Sequence, residues 1–138
     1  MVTLLREEIK RVKPGSILFV DFGYFHRVVG YARVYESGLS LVPGEKGVPL
    51  GPPHPYERIK DWKELKIREV QSSDLHAGDK ARITVGTTGN KREDEYQFRV
   101  VGFVRDNNPD SLLLATGKNG FPSAHPHSDI KRYEILEE

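Results

Sequence analysis

Hydrophobic residues fall in short runs along this chain, and clusters of glycine, proline, asparagine and aspartate separate them. That is the pattern of β-strands joined by turns. In "KARITV", Ala81, Ile83 and Val85 alternate with Lys80, Arg82 and Thr84, as in a strand with one buried face. "GSILFVDF", "RVVGYARV", "RVVGFVRD" and "SLLLATG" read as further strands, and "HSDIKRYEIL" as a tight turn leading into a last one. The segment Leu4 to Val12 departs from this pattern. Leu4, Leu5, Ile9 and Val12 share one face there, with charges opposite, which predicts a short N-terminal helix.

The apolar pattern is written twice. "RVVG" begins at Arg27 and again at Arg99, an offset of 72, and "GEKGVP" (44–49) returns as "GKNGFP" (117–122) at 73. His54-Pro55 matches His125-Pro126 and Ile59-Lys60 matches Ile130-Lys131, both at 71. Trp62 then answers Tyr133, and Gly15 answers Gly78. Landmarks keep their order and length changes fall in loops, which identifies a tandem duplication. Gly30 and Gly102 interrupt the long strand of each copy, where a bulge or sharp bend is expected. The expected fold class is mainly β: two tandem small β-barrels behind a short helix. Residues 1–70 hold the helix and the first barrel, and 71–138 the second. Each core would be thin, so the units are expected to pack together.

"FRVVGFVRDNNPDSLLLATG" followed by "IKRYEIL", with a helix ahead of the first copy, resembles the Sm-like and SH3-like small barrels. In the Sm-like pattern a glycine-bent strand precedes an acidic turn, a leucine-rich strand and a short closing motif. The resemblance implies RNA binding. It sets the basic residue of the closing motif at Lys60 and Lys131, and the uridine-binding asparagine at Gly38 and Ser111, where this chain departs from the pattern.

Composition narrows the classes. Cysteine is absent, which excludes disulfides, thiol catalysis and cysteine-held zinc. No apolar run approaches the roughly 20 residues of a membrane helix, so no membrane is expected, and a cytoplasmic location follows by default. Net charge is +1, divided as +3 over residues 1–70 and −2 over 71–138, so a nucleic-acid site would have to be local. No nucleophile motif or paired carboxylates stand out. The expectation is a noncatalytic binding module without cofactor or metal.

Two partner classes follow. RNA or single-stranded DNA would use the repeat-matched Arg27, Arg33, Arg99 and Arg105, with Lys60 and Lys131, and with Lys91 and Arg92 from the segment "GTTGNKRED" inserted in the second copy. If the long strands run straight, Tyr31 and Phe103 face outward between those arginines; a bend at the glycine turns them into the core. The alternative is docking on another protein or self-association, as an adaptor, structural subunit or regulator. Ile17 and Phe19 occupy the positions of Lys80 and Arg82, so that face of the first copy must be covered by the second copy, by the helix or by a partner. Exposed strand edges offer a second docking route. His125, His127 and Asp129 alternate as metal ligands would on an extended chain, but no second ligand cluster accompanies them.

Overall fold

The computed structural model describes residues 7–23, 26–49, 51–86, 98–117 and 120–138. The fold is mainly β, with two antiparallel sheets and a short N-terminal helix. Strands β1 (Ile17–Asp21), β2 (Arg27–Val34), β3 (Leu39–Val42) and β4 (Asp61–Glu64) form a sheet in the order β3-β2-β1-β4. Strands β5 (Lys66–Val70), β6 (Lys80–Val85), β7 (Phe98–Asn107), β8 (Ser111–Ala115), β9 (Ser123–Pro126) and β10 (Ile130–Glu137) form the other, in the order β5-β10-β6-β7-β8-β9. Among the described residues, no pairing closes either sheet into a barrel. The helix includes residues 7–10 and sets Ile9, fully buried, into the core of the first sheet. No helix among the described residues is long and apolar enough to cross a membrane.

The duplication is visible bond by bond. The order β3-β2-β1-β4 recurs as β8-β7-β6-β10. Leu18 faces Gly30 as Ala81 faces Gly102, and Val20 faces Val28 as Ile83 faces Val100. Leu39 bridges His54 as Leu112 pairs with His125. In each unit the long strand pairs with the first strand up to its aromatic (Tyr31, Phe103) and with the third strand from that residue onward. The strand bends there, and Tyr31 and Phe103 are 1% and 5% exposed. They belong to the core and form no outward aromatic face.

Of the bulge or sharp bend expected at the glycines, no bulge occurs, since the ladder runs through both. What they provide is close approach. A Cβ on Gly30 would lie 3.0 Å from the Val42 carbonyl oxygen, and one on Gly102 would lie 2.9 Å from that of Ala115. The irregularities fall elsewhere, between Val104 and Asp106 and between Ile130 and Arg132.

A pseudo-twofold axis relates the units. The Val101 N–H donates to the Pro43 carbonyl (2.9 Å), and the matching Val29 N–H donates to Thr116 (3.0 Å). Gly44 bridges Val100, and Gly117 bridges Val28. Each unit's RVVG strand therefore receives the end of the other unit's third strand, the self-complementary arrangement of a symmetric dimer joined into one chain. Ile17, Val29, Tyr31, Val42 and Leu65 meet Val101, Phe103 and Leu136 in a core between the units, with Phe19 packed against it. Burial of each large side chain there contributes about 1.5–3 kcal/mol.

The units are also joined by one nearly continuous strand. β4 lies beside β1, Leu65 donates its N–H to Ile17 (2.9 Å), and β5 then pairs with β10. Residues 66–70, on the first side of the boundary drawn at residue 70, thus hydrogen-bond within the second sheet.

Candidate functional site

Two of the predicted arginines, Arg33 and Arg99, converge on Glu45. The Arg33 guanidinium donates to the Glu45 carbonyl (2.6 Å) and to that of Ala32 (3.3 Å). Arg99 reaches the Glu45 carboxylate across the unit boundary (3.3 Å), so Arg99 ties the units together at a residue whose backbone Arg33 holds from within the first unit. Arg27 stands 3.8 Å from Asp21. Arg105 is exposed beside the irregularity of β7. Lys91 and Arg92 lie outside the described residues.

Ile17 and Phe19 are occupied inside the chain. Ile17 is buried, and the Phe19 ring meets Phe103 edge-on, at 6.1 Å and 80°, with Lys80 Nζ 4.6 Å above it. At the dyad-related position Arg82 takes the place of Phe19. It forms a two-pronged pair with the buried Glu134 (2.9 Å each) and stands beside Tyr31. Burial raises the Tyr31 phenol above its ordinary range, with the Arg82 charge acting in the opposite sense.

His125, His127 and Asp129 do not converge as alternating ligands, because a 3-10 turn over His127–Asp129 breaks the extended run. His127 Nε2 faces the Asn108 carbonyl (2.9 Å) and must carry the proton; Nδ1 then accepts from the Tyr133 hydroxyl (2.6 Å). Among the described residues no group of three potential ligands could hold a metal ion.

The first unit gathers a different set of side chains. The Asp21 carboxylate accepts the Gly23 N–H (2.8 Å), and Gly23 has φ +84°. Two backbone bonds, from the Phe22 N–H to the His26 carbonyl and from the His26 N–H to the Gly23 carbonyl (2.9 Å each), bring His26 back beside Phe22. His54 arrives from the proline-rich connector, held by paired backbone bonds to Leu39 (2.8 and 2.9 Å). Gly38 lies so close that a Cβ there would overlap the His54 carbonyl. The Phe22 ring is 4.4 Å from that of His54 and 5.1 Å from that of His26, and the two imidazoles are 5.8 Å apart.

Gly23, Glu57, Arg58 and Lys60 complete a cavity of about 410 Å3 around these rings. The Lys60 stem crosses Gly23 so closely that a Cβ would sit 2.8 Å from its Cε, and Lys131 crosses Gly86 in the same way (2.9 Å). Burial, His26 and Arg58 together lower the His54 pKa, so its imidazole is neutral at pH 7. His54 and Arg58 also line a neighbouring, more open hollow under Pro52, Pro53 and Pro55. Sequence reasoning singled out Lys60 but not Phe22 or Arg58. The available signal was the contrast between "RIK" and "DIK" at otherwise matched positions.

Comparison with protein-family models, with curated proteins and with solved structures returns no match.

Proposed function

We propose that this chain is a noncatalytic module that binds single-stranded nucleic acid, RNA foremost, through the Phe22–His26–His54 cluster of the first unit. The observation that carries the reading is the juxtaposition of an exposed imidazole (His26) and a half-buried one (His54), backed by a buried phenylalanine, with two exposed cations at the same cavity. Flat rings stack on bases without regard to sequence, and Arg58 and Lys60 answer the phosphates. Glu57 alone opposes them among the lining residues. The hollow under the prolines gives a bound strand room to continue past Arg58. The resemblance to the Sm-like and SH3-like barrels supports the same reading, with the site local to one unit as the near-neutral net charge requires.

The test is a fluorescence anisotropy titration with labelled single-stranded RNA, single-stranded DNA and duplex DNA. Single strands are expected to bind, with a logarithmic salt slope near −1.4 for two phosphate contacts to a single strand. His26→Ala combined with Lys60→Ala abolishes that binding, whereas Arg33→Ala with Arg99→Ala leaves it within about twofold and lowers stability. Binding lost only in the arginine pair would overturn this site.

A further inference from the structure

The pseudo-twofold axis carries one more strand on one side than on the other. β5 lies along β10, with Ile67 opposite Leu136, Arg68 opposite Ile135 and Val70 opposite Tyr133. At the matching edge of β4 no strand lies alongside among the described residues. The backbone polarity of this edge follows from the ladder. Leu65 donates to Ile17, so Lys63 and Asp61, at alternate positions, direct their bonds to β1, while Trp62 and Glu64 direct theirs outward. The Trp62 N–H is meanwhile taken up by the carboxylate of Asp61 (2.9 Å).

The edge reads Lys60, Asp61, Trp62, Lys63, Glu64: cation, anion, aromatic, cation, anion. Laid antiparallel against itself with Trp62 at the centre, every charge meets its opposite. Lys60 faces Glu64, Asp61 faces Lys63, and Trp62 faces Trp62. This register also joins the outward N–H and C=O of Trp62 to those of its counterpart. A slip of one residue along the partner breaks the hydrogen-bond parity. A slip of two sets Lys63 against Lys63 or Asp61 against Asp61, which is repulsive. The corresponding residues of the second unit, Lys131, Arg132, Tyr133, Glu134 and Ile135, have no such palindrome, and β5 already fills their edge.

We propose that a second copy of this chain adds at β4, strand to strand across a new twofold axis, so that two four-stranded sheets become one of eight. The mixed charges that guard an edge against indiscriminate pairing leave this one partner matched. Asp61, Lys63 and Glu64 are exposed; Lys63 is held by Glu138 (2.9 Å) and the Asp61 carboxylate by the Trp62 N–H (2.9 Å), surface contacts that the new pairs would exchange. The inference rests on the β4 edge and not on the cavity, with Lys60 the one residue shared with the nucleic-acid reading.

Sedimentation equilibrium from micromolar to millimolar concentration tests it, with circular dichroism as a check on folding. A monomer–dimer equilibrium is expected. Lys63→Asp, which sets Asp61 against an acid at both ends of the contact, weakens it about tenfold or more, and Asp61→Lys with Lys63→Asp restores it. Because the chain has no cysteine, a second measurement is direct. Under oxidising conditions, Asp61→Cys mixed with Lys63→Cys forms a disulfide-linked dimer, and neither variant alone does so. A monomer at every concentration, a dimer indifferent to Lys63→Asp, or cross-linking of a single variant as complete as that of the mixture would overturn the proposal.

Discussion

The cavity of the first unit and the same place in the second differ at three side chains that decide the chemistry. Phe22, His26 and Arg58 in the first correspond to Val85, Phe98 and Asp129 in the second, while His54 and Lys60 are kept as His125 and Lys131. The shared residues are those with backbone or stem roles. Each histidine pairs with a leucine of the third strand, and each lysine crosses a glycine. The changed residues are those that would touch a ligand. Duplication thus left one scaffold in two copies, with a third ring (Phe22) and a second cation (Arg58) at these positions in the first.

The contrast can be broken most severely at the axis between the units. Ile17→Lys with Phe19→Arg copies the second unit onto the first. It places two charges where the Phe19–Phe103 contact now lies, without an acid to match Glu134. Denaturant unfolding should show a loss of about 4 kcal/mol or a chain that no longer folds. Stability within about 0.5 kcal/mol of the parent would mean that this face is not what joins the units.

Next in size is Gly38→Ser, which also installs the second unit's residue. The new Cβ collides with the His54 carbonyl, and a loss of about 2–3 kcal/mol is expected by thermal or denaturant unfolding. RNA affinity should fall as well, because His54 must move. Unchanged stability would show that the connector holding His54 yields easily.

Arg58→Asp sharpens the comparison without disturbing packing, since this side chain is exposed. Removing a cation and adding an anion at the cavity should weaken RNA about 10- to 100-fold. The melting temperature should stay nearly constant. Asp129→Arg, the reverse exchange in the second unit, should not create a comparable site, because Val85 supplies no ring.

The smallest effect is on acid stability. Burial holds His54 and His125 neutral, each below the ordinary histidine range. The unfolded histidines titrate near 6.5. Between that pH and the lower folded values, unfolding takes up protons. Stability is therefore complete above about pH 6.5 and declines as pH falls toward the folded pKa values. His125→Phe should remove part of that decline. A pH dependence unaltered by the substitution would assign the acid sensitivity elsewhere.

Much of this architecture was legible in the residues. The offsets between "RVVG", "GEKGVP" and the "HP" pairs fixed which strands correspond, and the hydrogen-bond registers follow them residue by residue. The mismatch of Ile17 and Phe19 with Lys80 and Arg82 required a covered face. The identity of the cover depended on the axis, which no local pattern encodes. The close approach at Gly30 and Gly102 was not legible for a related reason: a glycine reports a backbone constraint without saying whether a bulge, a bend or a neighbouring strand imposes it. Strand β5 carries no alternating apolar pattern, because it sits outside β10 with most of its side chains exposed. The cavity was only partly visible. Phe22 and His26 meet through a turn whose shape depends on Gly23, and Arg58 joins them from a segment distant in sequence.

The most direct test of the central claim is a titration of the isotope-labelled chain with a short single-stranded RNA, followed by amide chemical shifts. The account predicts saturable shifts centred on Gly23, His26, His54, Arg58 and Lys60, with Gly86, Phe98, His125 and Lys131 unmoved. Equal shifts at both sets, or shifts at the second alone, would contradict it.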